Sequence, residues 1–412
     1  LEARYSKLDL LKAHSHVNGF ADTICILLCL IFSFYLVLRI INMYKIKEKT
    51  LYFIFFGYHF FITLYYYYGT KSAFIRADSA KYYLRVLYPH LFYNPTIKFG
   101  IASDFIKSIV YVLYTYLNFS YLACFILFAT FGWTGFYLFL SMAKKVGFSI
   151  KNKWLGVYIF PLILFLPNQH MWTVALGKDS LIFFGLMLAT YALTNIRKYP
   201  LLLIIGLTLI FFIRPHVCIM FILALFITLM IWGELVTALK IPLLVFVSII
   251  GYGVMSFFLS KVFSTSFSIS NIIEILEGRQ GYYAENDYGG STVDTSRYPF
   301  LFKLFSYLYR PLFEQINFNF IMVGIDNVVS LFFTLILFTK GFFKFLKSAP
   351  FFVKFSLIFF LIGTCFFASI FSNFGIAVRQ KTMFMYSLYI VIVAFSAWKL
   401  EQDTPRNLAI VV

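Results

Sequence analysis

The chain has 412 residues, 61% of them hydrophobic and 22% aromatic, with 55 Phe and 30 Tyr. Charged residues make up 13%, about half of the roughly 25% found in soluble domains, and the mean hydropathy is +0.84. A water-soluble surface cannot be built from this composition, which excludes a soluble enzyme, a secreted module and a disordered chain. The expected fold is all-α: a polytopic membrane helix bundle in a single integral membrane domain spanning 1–412.

Lys plus Arg number 35 against 17 Asp plus Glu, a formal net charge of +18. The basic residues sit in short clusters between apolar runs. That placement orients spans and holds anionic lipid or substrate groups, and it speaks against a nucleic-acid partner. The five cysteines lie in or beside apolar segments without metal-ligand spacing and read as small buried hydrophobes.

Apolar runs of spanning length occur at 21–43, 51–68, 119–142, 217–234, 241–260, 317–339, 351–371 and 382–398. Shorter runs at 155–167, 181–194 and 200–213 are bounded by charges, and counting them gives about 11 spans. Residues 101–118 read as an amphipathic helix lying at the interface, within a first outer loop of 69–118. Lysines and arginines after the first, third, fifth and ninth runs place those connections in the cytoplasm. The residues before 20 and the loops 69–118, 168–180, 214–216, 261–316 and 372–381 then fall on the outer side.

Those outer loops carry the candidate chemistry. Asp78 follows the second run and stands before Tyr82 and Tyr83; a carboxylate there can take the proton of an attacking sugar hydroxyl, or pair with Arg76 or Lys81. Trp172 can stack on a sugar ring, and Lys178 and Asp179 head the run 181–194, where a lysine and free helix amides suit phosphate. Phe212-Ile-Arg-Pro-His216 interrupts the long apolar stretch from 200 to 234. Pro215 breaks the helix, Arg214 can grip an anion, and His216 can act as acid, base or hydrogen-bond donor. Arg310-Pro311 repeats the Arg-Pro theme beside Glu314, and Arg379 and Lys381 reach the same side. Lys178, Arg214, Arg310 and Arg379 would repel one another unless something negative binds among them. The long loop 261–316 reads as a cover, and its Asp287 and Asp294 do not match a calcium-loop pattern, so no metal site is expected.

With these residues in hand, the chain resembles the bacterial polytopic envelope-polysaccharide glycosyltransferases and polymerases, the GT-C-like and EpsG/Wzy-like kind. The resemblance rests on Asp78 with Tyr82 and Tyr83, on Phe131-Gly-Trp-Thr-Gly135, and on the segment from Trp172 to Lys178-Asp179. Arg214-Pro-His216 and the stretch from Asn373 to Gln380 complete it. It implies an enzyme of the inner membrane, active face outward, that transfers sugars from polyprenyl-phosphate-linked donors. Arg214, Arg310 and Arg379 would hold the leaving lipid phosphate and Asp78 would be the base. The implied partners are the polyprenyl-linked sugar, membrane lipid and other polysaccharide-assembly proteins, and no cofactor is implied. The alternative of another class is a flippase for lipid-linked sugars, or a non-catalytic partner in polysaccharide assembly.

Overall fold

The structure is a computed structural model that describes residues 19–44, 49–71, 78–89, 97–149, 152–233, 291–295, 297–314 and 318–408, with the isolated residues 256, 268 and 270. The expected span at 241–260, most of the loop 261–316 and the residues before 19 lie outside the described residues. What is described is all-α apart from one small hairpin, Lys153–Trp154 paired antiparallel with Val157–Tyr158. Six helices among the described residues are long and apolar enough to cross a membrane, which makes this a multi-pass membrane protein.

The first of them, α1 (Gly19–Tyr44), runs parallel to α5 (Tyr121–Lys145). Their heads are joined where Asp22 Oδ1 accepts the Ser120 backbone N–H at 2.8 Å, while the Ser120 hydroxyl caps α5 by accepting from Ala123 N. Further along, the indole of Trp133 donates to the Ser33 carbonyl at 3.0 Å, and near the tails Tyr44 Oη donates to Leu140 O at 2.6 Å. Between them in sequence come α2 (Lys49–Lys71), α3 (Asp78–Leu87) and the amphipathic α4 (Ser103–Thr115). The last occupies the stretch expected to be an interface helix.

The run 155–167 is not a span. Gly156 turns at φ 81° inside the hairpin, α6 (Ile159–Leu164) lasts six residues, and Pro167 opens α7 (Pro167–Thr173). A proline has no N–H to continue the preceding helix, so the apolar stretch is folded into short pieces. The runs at 181–194 and 200–213 form α8 (Lys178–Ala192) and α9 (Pro200–Ile213), a hairpin of fifteen- and fourteen-residue helices. Neither is counted among the six. Pro215 then starts α10 (Pro215–Trp232), so Arg214 alone separates two helices.

The later part comprises α11 (Phe300–Tyr309), α12 (Phe318–Thr334), α13 (Phe342–Ser348), α14 (Phe351–Ile370) and α15 (Phe374–Leu408). Residues 291–295 pair with the head of α15: Val293 N donates to Ser372 O and Phe374 N to Ser291 O, both near 2.9 Å. This part of the long loop is thereby fastened to the head of the helix that carries Arg379.

Helix directions define two ends. The heads of α1, α3, α5, α8, α10 and α15 meet at one, as the Tyr121 Oη–Ser79 Oγ bond of 3.0 Å and the ion pairs below show. The basic connections meet at the other, where Lys145 bonds Thr194 and Lys399 bonds Thr339.

Close backbone approach fixes the central packing, as small residues allow between membrane helices. A Cβ at Gly132 of α5 would collide with the Thr173 carbonyl oxygen of α7. Gly132→Leu is therefore expected to destabilise the fold by about 1–3 kcal/mol or more. Gly57→Leu, at a position with nothing within 4 Å, should be silent; unfolding midpoints of the two variants in detergent check this.

Candidate functional site

Asp179 is the second residue of α8 and its side chain is 8% exposed. Its Oδ1 takes a hydrogen bond from Arg214 Nη2 at 2.9 Å, and its Oδ2 takes Arg379 Nε at 2.7 Å. Arg379 turns its remaining edge to the head of α3, where Nη1 meets Asp78 Oδ2 at 3.3 Å. Four segments far apart in sequence are thus joined through charged groups alone.

Lys178 stands beside this group, within electrostatic reach of Arg214, Arg379, Asp179 and Asp78. Among the described residues no carboxylate lies within ion-pair distance of it, and its Nζ bonds Ser103 Oγ at 3.2 Å. Ser103 is the first residue of α4, so the amphipathic helix contributes a hydroxyl. Tyr82 of α3 lies close to the same Ser103. Lys178 precedes the apolar run 181–194. Burial, followed by the guanidiniums of Arg214 and Arg379, pulls its ammonium below the ordinary lysine range. Tyr82, in the short helix α3, is pushed up to about 12, mainly by burial, and stays a hydrogen-bond donor.

The expected repulsion among the basic residues is relieved differently from the way the sequence implied. Asp179 and Asp78 are interleaved with the cations, because α8 begins Lys-Asp and its head lies between Arg214 and Arg379. With Lys81, 3.9 Å from Asp78 Oδ1, four cations face two carboxylates, and Lys178 is the one with no carboxylate within ion-pair distance among the described residues. The Nε of Arg214 is buried and has no hydrogen-bond partner. Trp172 of α7 lies against the same group, its ring centroid 5.1 Å from Arg379 Cζ. Its indole N–H is held by Asn168 Oδ1 at 2.9 Å.

The two carboxylates differ in freedom. Asp179 is buried and doubly held, so it positions the two guanidiniums. Asp78 is 42% exposed, with Lys81 3.9 Å from its Oδ1, and can receive a proton from a bound group.

Two further sequence candidates have partners of their own. Arg310 is answered by Glu314 at 2.6 Å and by the Tyr298 hydroxyl, with its guanidinium 5.0 Å from the Phe374 ring centroid. His216, second in α10, packs edge-on against Phe367 at 5.9 Å. Among the described residues Arg310 forms its ion pair with Glu314 and none with Asp179 or Asp78. His170 belongs to the core and not to an outer loop: it is fully buried, 3.0 Å from His59 Nδ1, and stacked on Phe136 at 4.6 Å.

A second polar group was not singled out from sequence. Lys381, expected at an outer loop, is 3% exposed. It donates to the Leu308 carbonyl near the end of α11 at 2.8 Å and to Asn327 Oδ1. Asp326, also buried, accepts the Asn168 backbone N–H at the head of α7 at 2.9 Å and interacts electrostatically with Lys381. Together they fasten α11, α12 and α15 to the helix that carries Trp172. The visible signal was Asp326, the one acid in the run 317–339, since a charge inside a span needs partners.

Comparison with family models, with curated proteins and with solved structures finds no match for this chain. The site therefore has to be read from its own chemistry.

Removing Asp179 leaves two buried guanidiniums without their carboxylate. Asp179→Ala should cost about 3–5 kcal/mol, whereas Asp78→Asn, at an exposed pair, should cost below about 1 kcal/mol. Thermal unfolding in detergent separates the two. For the second group, Lys381→Met and Asp326→Asn should each destabilise strongly, and the double variant by less than their sum. A double-mutant cycle is expected to give a coupling of about 1–3 kcal/mol.

Proposed function

We propose that the protein is an integral membrane glycosyltransferase or repeat-unit polymerase that uses polyprenyl-(di)phosphate-linked sugar donors in envelope polysaccharide synthesis. The observation that carries this reading is the Asp78–Arg379–Asp179–Arg214 chain with Lys178 beside it. It is a cationic site at one end of a lipid-embedded bundle, next to a looser carboxylate and an indole. An anionic headgroup on a hydrocarbon tail is the ligand that matches both the charge and the setting.

In this reading the acceptor sugar hydroxyl attacks the anomeric carbon of the donor, and the bond from that carbon to the phosphate oxygen breaks. Asp78 takes the hydroxyl proton as general base. Lys178, Arg214 and Arg379 receive the charge that develops on the departing lipid phosphate. Their positions are set beforehand by Asp179, so little reorganisation is required during the step. Trp172, braced by Asn168 and Arg379, offers a face to a sugar ring. The basic connections gather at the opposite end, which by the charge rule for membrane proteins is cytoplasmic. The active face then looks outward, at the bacterial inner membrane.

A transporter of lipid-linked sugars is the alternative, favoured by the buried Lys381 and Asp326 within the bundle, since such groups often mark translocation paths. Detergent solution separates the two readings, because transport has no meaning there while transfer does. Purified protein mixed with a polyprenyl-linked donor and an acceptor should release polyprenyl phosphate or diphosphate. Arg214→Ala should abolish release, and Asp78→Asn should slow it by about 10²–10⁴-fold. Full turnover in both Arg214→Ala and Arg379→Ala would remove the proposal.

A pH dependence follows from Lys178. Its ammonium loses its proton at lower pH than an ordinary lysine, so affinity for the phosphate should fall as pH rises through the alkaline range. Lys178→Arg should hold that affinity to higher pH, as a donor titration at several pH values would show.

A further inference from the structure

The end of the bundle remote from Asp78 carries a second concentration of positive charge that the proposed reaction does not use. It is built where α5 ends and α8 turns into α9. Lys145 Nζ donates to Thr194 Oγ1 at 2.6 Å and lies 4.7 Å from the Tyr191 ring centroid and 5.5 Å from that of Tyr199. Lys198 lies 5.4 Å from the Tyr199 centroid. The two tyrosine rings are 5.4 Å apart. Two ammonium groups are thus held by ring faces and a hydroxyl, a milder compensation than an ion pair. Lys144 and Arg197 flank them, and none of the four is paired with a carboxylate among the described residues.

The surface that continues from these cations along α9 is apolar and open. Leu201, Ile204 and Ile205 are 64%, 60% and 41% exposed, and Phe211 further along is 49% exposed. Their spacing puts them on one face of the helix. Ile196, in the turn itself, is 48% exposed. A cationic rim at the end of a helix, followed by an apolar stripe down its outer face, is the profile of a phospholipid lying against protein.

We propose that the α8–α9 turn and the end of α5 form a binding site for an anionic phospholipid. Its phosphate sits between Lys145 and Lys198, and an acyl chain runs along Leu201, Ile204 and Ile205. The free N–H groups of both ammoniums point the phosphate contact away from the tyrosine rings, and the tyrosines hold the lysines in place against their rotamer entropy. The site is independent of the sugar-transfer reading, since it lies at the other end of the molecule and shares no residue with it.

The test uses the purified full chain in detergent with added phosphatidylglycerol, phosphatidylcholine or inorganic phosphate. Native mass spectrometry should show saturable retention of phosphatidylglycerol, accompanied by a raised unfolding midpoint, and neither effect with the other two. Lys145→Met with Lys198→Met should weaken retention about tenfold or more, given the contribution of each basic residue near an anionic surface. Both side chains are exposed, so the variant should keep the parent midpoint in the absence of lipid. The Lys145→Arg, Lys198→Arg double variant should bind as the parent does. Undiminished phosphatidylglycerol retention in the methionine variant would overturn the proposal, as would equal retention of phosphatidylcholine. A midpoint rise reproduced by inorganic phosphate would overturn it as well, since the ligand would then be a free anion and not a lipid.

Discussion

One carboxylate sets the geometry of the site end. Asp179 reaches between Arg214, which interrupts two helices, and Arg379, which projects from the last long helix. Two guanidiniums would not stay side by side in a low-dielectric setting without a negative group between them. Because Asp179 belongs to the head of α8, its neighbour Lys178 is carried to the same place and left without a carboxylate partner among the described residues. Arg379 in turn draws Asp78 and Trp172 into contact. Most of the site follows from that single placement.

The rest of the molecule holds the placement steady. The glycine face of α5 lets its backbone touch α7, the helix bearing Trp172. The buried Lys381 and Asp326 fasten the same short helix from its other side, to α11, α12 and α15. Among the described residues the cationic group is framed by helix ends, which suits a site that must meet charge as it develops. At the far end, where Glu401 lies beside Gly147, no carboxylate among the described residues pairs with Lys145 or Lys198, and these lysines rest on tyrosine faces.

How much of this was legible beforehand depends on the kind of signal. The all-α membrane class was plain from composition, and the helix breaks at Arg214-Pro215 and at Lys178 followed from local chemistry. The amphipathic stretch 101–118 also forms its helix. Span counting was less secure: 155–167 looked like a short span, yet Gly156 and Pro167 fold it into a hairpin and two short helices. The gathering of Lys178, Arg214 and Arg379 could be posed from sequence, but not the acid that joins them. Nothing beside Asp179 in the sequence points to either arginine, because pairing across 35 and 200 residues leaves no local trace. Arg310 looked equivalent to the others by its Arg-Pro motif, and Glu314 four residues on answers it locally. Lys381 was misplaced because its distance along the chain from Arg379 is only two residues, while successive positions on a helix face different ways.

The central claim is that the Asp179-bridged cations receive a lipid-borne phosphate. The most direct measurement is a phosphorus NMR titration of the purified protein with a short-chain polyprenyl phosphate, repeated on Arg379→Gln. The account predicts a saturable shift and broadening of the phosphate resonance in the parent protein, and their loss in the variant. A resonance that stays unperturbed by the parent protein, or that is perturbed equally by the variant, would contradict it.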